Sequence, residues 1–368
     1  MIITTNAAKK LVENLDVNIN EEDLGKPFFR SDYEINELNA RNFKQIADNK
    51  KGTRIAFIDG GNQEIIRAPN FSIQINRIFY NIFKGKENEK HTKLDTGFEF
   101  FSLTYSLIEK SKLMFKTSLF PLKEEHRQFL PNEKDLYFSS TDRTMKMGIQ
   151  RADISVVASV ARKFCELNFA SVIVKEELTN NNIVVLDRIL QAPYTNEPIY
   201  MKKIQHYAQK NNVYLMGLSK SCELHTTTGI SLLGAIAKMA KDKKIKGMWY
   251  YTIAAISSND HKALILVVKL HPLANRIFRL EIFFEKPNLE IEIPEVVLKN
   301  LALNSTDLSF PGYPYGLIKV DALARVRNKE IERYRLLFLS EIAKQKKWEK
   351  IAKHIYASDA HDILNVMW

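Results

Sequence analysis

The run RIAFIDGG at 54–61 constrains this chain most, because a compact apolar stretch ends there on a carboxylate followed by two glycines. Ile55, Ala56, Phe57 and Ile58 read as a buried strand, and Gly60 and Gly61 let the backbone turn sharply beside Asp59. An Asp-Gly after a strand is also an ordinary turn. The motif therefore takes chemical meaning only from what the rest of the chain brings to it. A second run, NNIVVLDRIL, repeats the pattern: Ile183 to Leu186 form a short apolar strand that ends on Asp187.

Between these strands, QEIIRA and FSIQINRIFYNIF alternate with the period of an antiparallel meander, and 98–108 and 113–120 add two further strands. The stretch 84–93 is a charged loop and 121–151 a polar, mobile connection. DISVVASVARKFCELNFASVIVKEE, at 153–177, has the length and near-continuous apolarity of a buried helix, in which Glu166 is the polar exception.

Further helices are expected at 6–17, where Ala7, Leu11, Val12 and Leu15 share a face, at 33–47, at 197–210, and over SLLGAIAKMAKDKK. VYLMGLSK is a third strand, closing on Ser219 and Lys220, and three β-rich runs between Met248 and Glu285 suggest an antiparallel addition to the sheet. Pro294 and Pro314 open helices, and 329–347 is a long basic amphipathic one. Strands and helices interleave, so the expectation is an α/β fold: one mixed sheet flanked by helices over 51–368, with a helical N-terminal extension over 1–50 and a helical C-terminal region.

Lys plus Arg, 54, exceeds Asp plus Glu, 43, so a polyanion such as nucleic acid is the partner that the charge suggests. The two cysteines, Cys165 and Cys222, sit in no zinc-site or disulfide spacing. No signal-type or membrane-spanning apolar run is seen, so a cytoplasmic protein without a membrane partner is expected.

Strand aspartate, antiparallel meander, helix glutamate, strand aspartate and a late helix aspartate, Asp321, is the order in which ribonuclease H-like nucleases assemble a metal site. Such a site holds two divalent cations about 3.5–4 Å apart on hard oxygen ligands. Parallel first and fourth strands would bring Asp59 and Asp187 side by side, with Glu166 packed across them and Asp321 as the fourth carboxylate. Each also has an ordinary reading. Glu166 stands four residues after Arg162, the spacing of an intrahelical ion pair, Asp187 can begin a turn, and Asp321 can pair with Arg325.

With these residues in view, the chain from about Arg54 onward resembles the NurA nucleases, partners of the HerA hexameric DNA translocase. The matching pieces are IDGG at 58–61, RKFCEL at 162–167, VVLDRIL at 184–190, LSKS at 218–221, GYPYGLIKVDALARV at 312–326 and DAHDIL at 359–364. The resemblance implies a ribonuclease H-like core, a homodimer and manganese-dependent cleavage of DNA, with magnesium as the alternative metal. It further implies 5′ to 3′ exonuclease and single-strand endonuclease activity on single-stranded DNA and duplex ends during DNA-end resection, and a HerA-type hexameric ATPase as partner. On this reading Asp59, Glu166, Asp187 and Asp321 bind metal, and Lys220 and Tyr313 position the phosphate.

The chain departs from the family pattern at two points. Asp321 stands where many members have histidine, and Asp187 is followed by Arg188-Ile189 in place of Gly-Ser. Arg188 would either contact a phosphate or crowd the site. These departures keep two rivals open: a DNA-binding adaptor of HerA that has lost turnover, and another ribonuclease H-like enzyme acting on RNA or RNA-DNA hybrids or joining DNA strands. Tyr315 reads as a packing residue, His225 with the following threonines as a polar loop near the site, and His361 either as a late ligand or proton carrier or, as is usual for a lone histidine near a terminus, as structural or solvated.

Overall fold

The computed structural model describes residues 2–18, 23–48, 52–90, 92–146 and 148–355. In chain order they form α1 (Ile2–Asn18), β1 (Tyr33–Ile35), β2 (Phe43–Gln45), β3 (Arg54–Ala68), β4 (Phe71–Lys84), β5 (Glu87–Asn88), β6 (Gly97–Glu109), β7 (Lys112–Pro121) and β8 (Tyr137–Ser139). Then follow α2 (Ile154–Glu177), β9 (Ile183–Leu186), α3 (Glu197–Lys210), β10 (Tyr214–Ser219), α4 (Leu232–Asp242), β11 (Trp249–Ser257), β12 (Lys262–Lys269) and β13 (Phe278–Ile282). The described chain ends with α5 (Glu295–Leu303), α6 (Tyr315–Ala324), α7 (Asn328–Lys344) and a short helix at 348–355.

All the strands belong to one mixed sheet, ordered β1-β11-β12-β13-β10-β9-β3-β4-β6-β7-β8, with β2 on β11 and β5 on β4. Strands β3, β4, β6 and β7 are the expected antiparallel meander. The long helix α2 then carries the chain back across the sheet, so that β9 pairs parallel with β3, and β10 pairs parallel with β9. This meander, return helix and parallel pair make the core a ribonuclease H-like mixed α/β fold. The runs between Met248 and Glu285 extend it through β13, antiparallel to β10.

The period of two along β3 sets the layers. Ala56 and Ile58 point into a core shared with Val157, Ala161, Phe164 and Ile173 of α2 and Ile204 of α3, whereas Ile55 and Phe57 point into a second core with Leu301 of α5 and Leu317 of α6. Helix α2 starts at an N-cap, Asp153, whose carboxylate accepts the Ser155 N–H. Gly316 in α6 rides directly on Phe57: a Cβ there would lie 2.0 Å from the phenyl ring.

Three expectations change. The helix expected over 33–47 is the strand pair β1 and β2, because Tyr33, Phe43 and the segment around them find hydrogen-bonding partners on the edge strand β11. The N-terminal extension is thus only partly helical. Within 121–151, two 3₁₀ turns (Glu124–Phe129 and Glu133–Leu136) and β8 place Phe129, Leu136, Phe138 and Met145 in the α2 core. Isolated apolar residues among charges gave that stretch no period to read, although burial fixes it. Helix α1 forms where expected, but Leu11, Val12 and Leu15 are exposed. No helix among the described residues is long and apolar enough to cross a membrane.

Candidate metal centre

Parallel pairing sets the carboxyl ends of β9 and β10 beside the middle of β3, which runs on through Gly60 and Gly61 instead of turning after Asp59, because β4 pairs with it along that whole length. The Asp187 N–H donates to the Ile58 carbonyl at 3.2 Å, extending the ladder one residue beyond β9 and holding Asp187 beside Asp59. Helix α6 brings Asp321 over the same place, and its C-terminal end rests on the backbone of Gly61. A Cβ at Gly61 would lie 2.2 Å from the Ala324 carbonyl, so the second glycine is there for close approach rather than for a turn. Side-chain oxygens of Asp59, Asp187 and Asp321 lie within 4.8 Å of one another. Asp59, Gly61, Asn62, Asp321 and Arg325 line an open cleft of about 210 Å³ at this point.

Glu166 sits one layer behind. Its carboxylate accepts from Arg162 at 2.6 Å, so the intrahelical pair is real. The same carboxylate also reaches under Gly60, where a Cβ would meet Glu166 Oε2 at 3.0 Å and the Arg162 side chain at 2.8 Å. Gly60 therefore keeps open the space through which α2 reaches the site. Glu166 is 1% exposed, and its Oε1 is buried without a hydrogen-bond partner.

Lys220, just past β10, bridges two of the aspartates, with Nζ 2.5 Å from Asp187 Oδ2 and 2.6 Å from Asp321 Oδ1. Tyr313, 2% exposed and packed on Phe278, donates its hydroxyl to Asp187 Oδ1 at 3.0 Å. Arg325 pairs with the other Asp321 oxygen at 2.7 Å and is 71% exposed at the rim.

The electrostatics are those of a site short of positive charge. Burial, then the nearby carboxylates of Glu166 and Asp187, push Asp59 up to about 8. Burial likewise raises Glu166, against the pull of Arg162. Burial also opposes ionisation of Asp321, but hydrogen bonding to Lys220 and the charges of Lys220 and Arg325 outweigh it and hold that carboxyl below its ordinary value. Burial and the neighbouring Asp187 raise the Tyr313 phenol, so it remains a hydrogen-bond donor. Three clustered aspartates, one of them destabilised by like charge, and a buried orphan oxygen of Glu166 suit a hard divalent cation. The donor set therefore fits a metal.

Arg188 neither reaches the cleft nor crowds it. Its guanidinium turns to Glu197 at 2.7 Å and to the carbonyls of Ile189 and Gln191. The segment after Asp187 is fixed from below by Glu281, fully buried on β13, which accepts the Leu190 N–H at 2.7 Å and pairs with His261 and Arg279. Sequence reasoning missed this support, whose one visible signal is charge inside the β-rich run FRLEIFF.

Tyr315 packs on Phe83 with Lys319 over its ring, as expected of a packing residue. His225 stacks on Phe28, and Thr226 and Thr227 bond residues 26 and 27, so that loop seats the N-terminal segment. His361 and DAHDIL lie outside the described residues.

No protein-family model and no curated protein matches this sequence. Among solved structures, the chain is similar to Ciona intestinalis endonuclease V in complex with a 24mer DNA containing an inosine followed by a ribo-adenosine (10% identity, 77% of this chain, 87% of that chain, TM-score 0.36). It is similar also to the catalytic domain of human endonuclease V (9%, 77% and 84%, TM-score 0.35) and to A. aeolicus Argonaute (10%, 76% and 28%, TM-score 0.27). Overlays this loose carry no weight for activity, which has to be read from side chains.

Proposed function

We propose that this chain is a metal-dependent nuclease that hydrolyses DNA, a NurA-like enzyme working with a HerA-type translocase at DNA ends. The observation that carries this reading is the meeting of Asp59 from the middle of β3, Asp187 just past the end of β9 and Asp321 from α6, with Glu166 buried behind them. Such a cluster is costly unless a cation offsets its charge. Asp59, with Glu166 behind it and Asp187 and Asp321 beside it, would hold the metal. When bound, a divalent ion supplies Lewis acidity at a phosphoryl oxygen and a lowered pKa for water, as metal-dependent hydrolysis of a phosphodiester requires.

The chain's own residues have distinct parts in that reaction. Tyr313 fixes the orientation of Asp187 through its hydroxyl. Lys220 offers an ammonium beside the aspartates that can offset charge developing on a phosphate oxygen. Arg325, exposed at the rim, suits a backbone phosphate of a strand entering the cleft. The excess of Lys and Arg over acidic residues supports a polyanionic substrate and strongly salt-dependent binding.

Manganese as metal, 5′ to 3′ polarity, the homodimer and the HerA contact rest on the NurA resemblance. The exposed Leu11, Val12 and Leu15 of α1 support a partner-facing helix there. The test is cleavage of 5′-labelled and 3′-labelled single-stranded DNA, duplex DNA and RNA-DNA hybrid with manganese, magnesium or chelator. The reading expects metal-dependent cutting of DNA and none with chelator. Cutting confined to the hybrid would move the enzyme to RNA, and manganese-dependent DNA binding without cutting would make it the adaptor.

A further inference from the structure

The four carboxylates suggest two metal ions, but the side chains between them leave room for fewer. Asp187 has both oxygens engaged, Oδ1 by the Tyr313 hydroxyl at 3.0 Å and Oδ2 by Lys220 at 2.5 Å. Asp321 is likewise divided between Lys220 at 2.6 Å and Arg325 at 2.7 Å. The Lys220 ammonium therefore lies where a cation bridging Asp187 and Asp321 would lie. Glu166 reaches beneath Gly60 on the Asp59 side with its Oε2, and its other oxygen, Oε1, is buried without a hydrogen-bond partner.

Resting on the metal-site reading above, we propose that Lys220 holds the second cation position, so that the centre takes up one divalent ion, on the Asp59 and Glu166 side. Lys220 follows β10, the parallel neighbour of β9, and from there its half-exposed side chain reaches both Asp187 and Asp321. Four carboxylates already face Arg162, Lys220 and Arg325. One divalent ion more than neutralises that group; a second would have to enter against an ammonium and an excess of positive charge. A lysine delivers a compact point charge and three donors, which suits it to stand between Asp187 and Asp321 in place of a second metal.

Manganese stoichiometry by calorimetry and equilibrium dialysis, on wild type, Lys220→Met, Lys220→Arg and Asp59→Asn, tests this without reference to turnover. Circular dichroism checks that each variant is folded. The expected result is one ion per chain in the wild type and in K220R, and two in K220M, the second bound at least about tenfold more tightly than any second ion in the wild type. D59N should lose the wild-type ion. Two comparably tight ions in the wild type, or a single ion in K220M, would overturn the role of Lys220 and leave the nuclease reading standing. No ion in any of the four proteins would overturn both. Should K220M not fold, a second ion in K220R would count against the proposal, because that variant retains the charge.

Discussion

Replacing Asp59 by asparagine should make the metal-free protein more stable at alkaline pH, although it removes a ligand. Asp59 is held near 8, against 3.8 for an ordinary aspartate, by burial and by the carboxylates of Glu166 and Asp187. The folded chain thus binds this proton more tightly than the unfolded chain. Its stabilising effect is fully present below the unfolded value and is lost as pH rises toward 8. Each tenfold difference in proton affinity is worth about 1.4 kcal/mol, which puts the ceiling for an isolated carboxyl at roughly 6 kcal/mol. Glu166 shares the titration, so a smaller gain, about 1–3 kcal/mol at pH 8–9, is expected. Asparagine keeps the acceptor that Gly60 N–H uses at 2.7 Å, so little else changes. Urea unfolding from pH 5 to 9 in chelator reads this directly. D59N should already exceed the wild type at pH 5, by a margin that grows as pH rises to about 8 and levels off above it. A variant less stable than wild type at pH 9, or a difference that ignores pH, would refute the electrostatic reading of the cluster.

Tyr313→Phe keeps the buried ring and deletes the hydroxyl on Asp187, so stability should fall by less than about 1 kcal/mol while single-turnover cleavage falls at least about tenfold. Gly61→Ala forces a methyl group against the Ala324 carbonyl; thermal melts should show a loss of about 1–3 kcal/mol, and metal affinity should drop because the displaced strand carries Asp59 next to it. Burial opposes ionisation of Glu281, but Arg279 and His261 outweigh it and bring the carboxyl down to about 2, so it contributes stability above pH 4.5 that is lost as pH falls toward 2. Glu281→Gln should cost about 3–5 kcal/mol at neutral pH, measured by denaturant unfolding, by stranding the buried Arg279.

Much of the centre was legible because strand periodicity and short-range order encode it. Asp59 and Asp187 each close an apolar run, and once those runs are parallel neighbours the two residues must lie side by side. Glu166 was visible as a charge inside an apolar helix; its ion pair with Arg162 is present, and the same carboxylate reaches beneath Gly60. Contacts between residues distant in sequence and lacking a period were not legible. Lys220 bridges to a residue 101 positions away. Gly61 reads locally as a turn glycine although α6 lies on it, and Arg188 reads as a phosphate contact or an obstruction although Glu197 holds it away from the cleft. The strands at 33–45 depend on an edge supplied by residues 249–257, which no local pattern reveals.

Cleavage of end-labelled single-stranded DNA by wild type and D59N at saturating manganese tests the central claim most directly. The account predicts a rate at least about a thousandfold lower for D59N, with DNA affinity and folding retained. Cutting by D59N at the wild-type rate would contradict it.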